Sequence, residues 1–384
     1  MTANKLIKLI PEEIFSSLAL ETKVDYQVKK LSGEVVFKLI LFSMLNTSKL
    51  SLRVMEGFLQ SSCFKAFCGP AWEGVESKYN SIRDRICTIN GDYFEKLFTQ
   101  IFAIYNKELK EEKALSKVDS TYVSLSAKLF AGGMQNGDTS KRQVKYSVNL
   151  KGSLPATVKI FTAQSYISES LALPELIDQC DYLQGDIVVF DRGIQTRKAF
   201  DKFTSDNKFF IGRSKTSIKC KIVCAAKVNR KPANATLTII SDEQCILFKD
   251  QGKKAAHIYR VIRAMINKSE EEICLITNIM DEDAYTIAQW YKQRWEIEVF
   301  FKFIKQHLNA SHLVSRTDNG MKVMIYMTMI VAVLLLAYKK INKIKGYKIA
   351  KLRFEVELEN EIIKTIVILC GGDPNNAMHL FESG

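Results

Sequence analysis

The hydrophobic positions change their period along the chain. Up to about residue 108, apolar side chains recur every three or four positions in segments near 11–20, 34–46, 51–60, 79–89 and 92–108. That is the spacing of helices burying one face, and it predicts an all-α N-terminal region. From Ser116 the period becomes two: Val118, Ser120, Tyr122 and Ser124 alternate with Asp119, Thr121, Val123 and Leu125, predicting a strand over Ser116–Ser126. Gln143–Leu150 and Leu154–Ala163 flank Lys151-Gly152-Ser153 as a hairpin that completes three antiparallel strands. A helix follows at about Ser168–Gln179, then a wholly apolar run, Ile187–Phe190, which reads as a buried parallel strand. Gln195–Asn207 predicts the next helix and Lys208–Lys215 the last strand of this series.

Segments near 217–224, 235–240, 244–249 and 256–266 alternate again and read as a small sheet that interrupts the core, and Glu272–Met280 as one more strand. Residues 285–308 contain no Gly or Pro and read as one long helix, with Trp290, Ile297, Phe301, Ile304 and Leu308 on a wide apolar face. Val323–Tyr338 is strongly apolar between Lys322 and Lys339, slightly short for a bilayer span and better explained as the central helix of a soluble core. The tail carries Lys343, Lys345, Lys348, Lys351 and Arg353 before an acidic helix; it reads as a solvated appendage, with a contact to DNA or to a second subunit as the alternative. Taking the charged run Lys107–Lys113 as a boundary, the expected divisions are 1–110, 111–215, 216–272, 273–341 and 342–384.

Charge narrows the partner. The 384 residues hold 55 Lys and Arg against 42 Asp and Glu, a formal +13 that favours a polyanion such as nucleic acid. The nine cysteines are odd in number, without C-x-x-C spacing or clustered histidines, which fits a reducing cytosol. Cys220, Cys224 and Cys245 read as strand thiols and not as zinc ligands. Met1–Ile10 lacks the apolar core of a signal peptide, so neither secretion nor a membrane partner is expected.

Three places carry candidate chemistry. Asp119 lies near the middle of a predicted strand, where a carboxylate must find a cation or protonate. Asp191 follows a buried parallel strand, the end at which ligands gather in open α/β sheets; capping the next helix is the plainer alternative. Gly193 is expected to let the chain turn tightly after it. On the 285–308 helix, Tyr291, Arg294, Glu298 and Lys305 stand at offsets 0, 3, 7 and 14 and share an arc of about 60°, bordered by Trp295 and Lys302. A solvated stripe of charge pairs is one reading; a lone acid between cations on a mostly buried helix also suits a phosphate held beside a metal. In the N-terminal region, Lys78, Arg83 and Arg85 surround Tyr79 and Ile82 and are candidates for DNA phosphates or for a solvated face.

The spacing Tyr291-x2-Arg294-x3-Glu298-x6-Lys305 resembles the Y-R-E-K signature of transposases of the insertion-sequence-four family. Asp191-Arg192-Gly193 resembles the second motif of that family, and Asp119 matches the placement of its first catalytic aspartate. The resemblance implies an α/β fold: an RNase H-like catalytic core with a β-rich insertion, preceded by an all-α N-terminal domain that recognises the ends of the element. It implies Asp119, Asp191 and Glu298 as catalytic metal ligands for two Mg²⁺ or Mn²⁺ ions, with Tyr291, Arg294 and Lys305 on DNA phosphates. Arg213-Ser214-Lys215 resembles a strand-end basic motif, so Arg213 and Lys215 join as DNA contacts, with a solvated strand end as the alternative. Some relatives stack a flipped base on an insertion aromatic, for which Tyr259 and Phe248 are available. The implied activity is DNA nicking and strand transfer on double-stranded element ends and target, by a homodimer in the synaptic complex, in a bacterial cytoplasm in association with the nucleoid. A metal-dependent nuclease without strand transfer, and a non-catalytic basic DNA-binding regulator, are the alternatives.

Overall fold

The computed structural model describes residues 1–376 except 48, 73, 112–114, 127–131, 136, 227, 229–235, 249–251, 309, 311–312 and 316. The chain divides into two compact units.

One unit comprises residues 1–110, 123–132 and 302–384 and is largely helical. Its N-terminal part holds α1 (Ala3–Ile7), α2 (Glu13–Thr22), α3 (Gly33–Asn46), α4 (Leu52–Gln60), α5 (Ser62–Cys68), α6 (Tyr79–Thr88) and α7 (Gly91–Leu109). Side chains of Ser32, Ser51 and Asn90 cap α3, α4 and α7 by accepting from first-turn amides, as hydroxyl and amide side chains do at helix starts. Arg85 is not a surface cation: its guanidinium donates to the carbonyls of Val24 and Leu31 and reaches Asp25, which ties α6 to the loop before α3. Arg83 pairs with its neighbour Asp84, and Lys78 is exposed.

The other unit comprises residues 111–122 and 133–301. Its strands are β1 (Ser116–Ser126), which runs past the unit's edge, β2 (Lys141–Lys151), β3 (Leu154–Phe161), β4 (Ile187–Phe190), β5 (Phe209–Ser214), β6 (Cys220–Ala225), β7 (Leu237–Phe248), β8 (Lys254–Ile266) and β9 (Glu271–Thr277). All nine lie in one sheet, in the order β3-β2-β1-β4-β5-β9-β8-β7-β6. β1 and β4 pair parallel, as do β4 and β5, while β2 and β3 form the expected antiparallel hairpin.

Helices cover this sheet on both faces. α8 (Glu169–Gln179) and α9 (Arg197–Ser205) pack on Val118, Val188 and Phe190, while Val189, Ile211 and Leu275 pack with Ala284, Ile287 and Ala288 of α10 (Ala284–Lys292). Successive residues of β4 therefore face opposite layers, which is why that strand is apolar throughout.

Two sequence expectations change. The strands after Lys215 do not form a separate sheet: β9 pairs antiparallel with β5, Ile211 opposite Thr277, so the free edge of β5 is filled and β8, β7 and β6 extend the same sheet. The segments near 235–240 and 244–249 are one strand, β7, whose register shifts between Ile239 and Ser241; that bulge resets the inside-outside parity and splits the pattern in two.

The 285–308 helix is also interrupted. α10 ends at Lys292 and α11 (Trp295–His307) begins after a turn at Gln293 and Arg294. The amides of Gln293, Arg294, Glu296 and Ile297 bond three residues back instead of four, so the chain tightens there without Gly or Pro.

The helical unit is completed by α12 (Asp318–Ile341) and α13 (Tyr347–Leu369). α12 is long and apolar enough to cross a bilayer, yet 94% of its most apolar window is buried inside the protein. It meets α7 through Phe98 and Tyr326, and Asn319 donates to the carbonyls of Cys87 and Ile89. A helix apolar on all sides needs such a surround.

Candidate active site

β1 and β4 bring the first two candidate acids together. Their parallel register pairs Ser116 with Val188 and Lys117 with Val189, so Asp119 on β1 and Asp191 after β4 each follow two residues beyond the last pair. Asp191 stands immediately beyond the carboxyl end of β4.

The α10–α11 turn delivers the third acid. Asp283 caps α10 by accepting from the Thr286 amide. Ala284, Ile287, Ala288 and Tyr291 then fall on one face and bury against the sheet. This carries the Tyr291 hydroxyl to Asp191, to which it donates at 3.1 Å. Arg294, only 8% exposed, donates to Glu298 at 2.6 Å and lies 4.0 Å from the other Asp191 oxygen. Lys117, fully buried on β1, donates to the Gly152 carbonyl and pairs at 2.8 Å with Glu296, which holds the first turn of α11 against β1.

Burial dominates the electrostatics of the site. Burial pushes the Asp119 carboxyl up to about 6, against the bond from the Ser120 amide; Glu169 and Glu298 raise it further and Arg294 lowers it. Burial also pushes the Tyr291 hydroxyl up to about 12, helped by Asp191, while Arg294 and Arg213 pull the other way, so Tyr291 stays a neutral donor. Although burial opposes its charge, Arg294 is held above the ordinary arginine value by Tyr291, Glu298 and Asp191.

The remaining candidates are distributed differently. Arg213 pairs with Glu271 on β9 while lying near enough to Tyr291 to act on it. Lys215 is exposed beyond the end of β5, and Lys305 is exposed in the last turn of α11. Tyr259 is fully buried and donates to Asp201, so no base can stack on it; Phe248, half-buried, ends β7. Gly193 has no left-handed backbone. Its bare Cα instead makes room for α8, since a Cβ there would stand 2.9 Å from Glu169 Cβ and 3.1 Å from Leu173 Cδ1.

Sequence reasoning passed over Glu169 and Lys145. Lys145, fully buried on β2, pairs with Glu169 at 2.9 Å, and the other Glu169 oxygen accepts from Ser120 at 2.7 Å. A lysine in an alternating strand reads as a solvated position, and only the tertiary fold reveals that it is covered. The one available signal was Glu169 at the start of a predicted helix.

Among the described residues, no three acid, cysteine or histidine side chains gather closely enough to form a ready metal cage. The donor chemistry nevertheless fits a hard divalent ion. Asp119, Asp191 and Glu298 offer only carboxylate oxygens, and Arg294 is the cation that now faces Asp191 and Glu298.

Residues 118–334 match the protein family described as Transposase DDE domain. A transposase assigned to an insertion sequence element of Geobacillus stearothermophilus is 24% identical over 274 residues, covering 70% of this chain and 69% of that protein. A second, assigned to an insertion sequence element of Synechocystis sp., is 28% identical over 260 residues, covering 65% of this chain and 69% of the relative.

Proposed function

This chain belongs to the Transposase DDE domain family, and from that premise we propose that it nicks the ends of an insertion element and joins the freed 3′-hydroxyl to target DNA, with Asp119, Asp191 and Glu298 as the catalytic acids. The observation that carries the reading is their convergence on Arg294, which touches Glu298, approaches Asp191 and acts electrostatically on Asp119.

The strand order β3-β2-β1-β4-β5 and the acids on β1, after β4 and on a late helix support an RNase H-like core. The β6–β8 strands, within residues 216–272, would be its insertion and residues 1–110 the part that recognises element ends. DDE transposases depend on divalent metal; here the three acids would hold it, as two Mg²⁺ or Mn²⁺ ions. Such ions, when bound, lower the pKa of attacking water and neutralise phosphoryl oxygens.

The chain's own groups supply position. Buried Nε atoms of Arg294 and Arg213 have no hydrogen-bond partner among the described residues. The remaining N–H donors of both arginines would meet DNA phosphates. Tyr291 fixes Asp191 through its hydroxyl, and Lys305 and Lys215 would meet phosphates further along the strand. The +13 charge supports a DNA partner and the nine cysteines a reducing cytoplasm; a homodimer would bring two element ends together.

The test uses a supercoiled plasmid carrying the DNA that flanks the coding sequence, with Mg²⁺. Nicks at the flanks followed by joining to a second plasmid support the proposal. Nicks without joining favour a metal-dependent nuclease, and binding without nicks favours a regulator.

A further inference from the structure

We infer that the first turn of α8 is a clamp that fixes both aspartate-bearing segments, β1 and the turn after β4, with Glu169 and Ser120 as positioning residues for Asp119 and Asp191. The inference rests on the catalytic reading of those aspartates given above.

The clamp has two arms. On the β1 side, Glu169 accepts from the Ser120 hydroxyl at 2.7 Å, and that hydroxyl also lies 2.7 Å from the Ser147 hydroxyl on β2. The Ser120 amide in turn donates to Asp119 Oδ1 at 2.8 Å. Successive strand residues point to opposite faces, so Ser120 turns toward α8 while Asp119 turns toward the α10–α11 side. One residue thereby links the helix on one face of the sheet to the carboxylate on the other. On the β4 side, the Ser170 hydroxyl donates to the Gly193 carbonyl at 3.0 Å, and Glu169 Cβ occupies the space that a side chain at Gly193 would need. Gly193 is two residues after Asp191, so adjacent residues of one helical turn hold both segments.

A structural role alone would need only that buried Lys145 find a counterion, and Glu169 supplies one. Such a role does not require Glu169 to bond Ser120, nor α8 to grip Gly193. Groups that hold metal-binding carboxylates in orientation change metal affinity or activity by about 10- to 100-fold when removed. Because α8 touches both segments, its effect should fall on the mutual placement of the acids and not on DNA affinity.

Ser120→Ala tests this while leaving the Lys145–Glu169 charges in place, and Glu169→Gln keeps the size but takes the charge from the acceptor, weakening the link to Ser120. Each is compared with the parent and Asp119→Asn for nicking of the flank-bearing plasmid, for DNA affinity in EDTA and for the rise in melting temperature on adding Mg²⁺. The expected results for Ser120→Ala are nicking slowed about 10- to 100-fold, unchanged DNA affinity, a melting temperature in EDTA lowered by only the few degrees that lost hydrogen bonds account for, and a smaller Mg²⁺-induced rise. The double variant should be no worse than the weaker single, since both changes break one link. If Ser120→Ala nicks and responds to Mg²⁺ like the parent while Asp119→Asn is inactive, the clamp is overturned and the catalytic reading stands. If the two losses multiply as independent effects, the clamp is likewise overturned. If Asp119→Asn nicks normally, the catalytic reading falls and the clamp falls with it.

Discussion

Tyr291 donates its hydroxyl to an Asp191 oxygen at 3.1 Å across 100 residues of sequence. The bond forms because α10 buries Ile287 and Ala288 against the same sheet that ends β4 at Phe190, so packing on one face aims the phenol at the strand end. Tyr291→Phe should keep the ring buried and lose the bond. The expected outcome is about 1 kcal/mol of lost stability by denaturant titration, slower nicking and unaltered DNA affinity. Parental nicking rates would separate this hydroxyl from catalysis.

Arg294 is the positive charge that Asp191 and Glu298 share in the DNA-free protein. Arg294→Met retains the apolar stem and leaves the carboxylates facing one another. In EDTA near neutral pH the variant should be less stable than the parent by about 1 kcal/mol, because the Glu298 and Asp191 carboxylates are a third or more exposed and solvent screens the pairs. Millimolar Mg²⁺ should restore more melting temperature to this variant than to the parent, because the metal would replace the missing charge. Equal Mg²⁺ responses would refute the shared-charge view.

The pH dependence follows from Asp119. Its folded-state carboxyl, at about 6, binds its proton more tightly than an ordinary one at 3.8. The stability tied to that proton is whole below the ordinary value and is lost as pH rises through about 6. Asp119→Asn cannot ionise, so in EDTA at about pH 8 it should exceed the parent by at most about 3 kcal/mol, with the gap closing toward pH 4. Denaturant titrations at several pH values check the sign: a gap that widens on acidification contradicts it.

Gly193→Ala introduces a Cβ 2.9 Å from that of Glu169. α8 must move away from β4, at a cost of about 1–3 kcal/mol for overpacking. Thermal denaturation should register the loss, and nicking should fall further than stability alone explains, because Ser170 would lose its hold on the Gly193 carbonyl.

The sequence made some of this legible and concealed the rest for physical reasons. β1 runs over Ser116–Ser126 as its alternation predicts, and Asp191 follows a strand that is apolar because helices cover both its faces. The Tyr291, Arg294 and Glu298 side chains are brought together as their spacing suggests, despite the turn at Gln293–Arg294. That turn was invisible because no Gly or Pro marks it; the change lies in the hydrogen-bond register alone. Arg85, which reads as a phosphate contact, is consumed by the carbonyls of Val24 and Leu31, distant positions that no local pattern connects to it. Lys145 and Glu169 were hidden because burial of a strand lysine depends on which helix covers that face.

The most direct test of the central claim, that Asp119, Asp191 and Glu298 work as one catalytic set, is the nicking of flank-bearing plasmid by Asp119→Asn, Asp191→Asn and Glu298→Gln proteins in Mg²⁺, alongside their DNA affinity in EDTA. The account predicts that each substitution abolishes nicking while leaving DNA affinity near that of the parent. Nicking at the parental rate by any of the three, with the protein folded and bound to DNA, would contradict it.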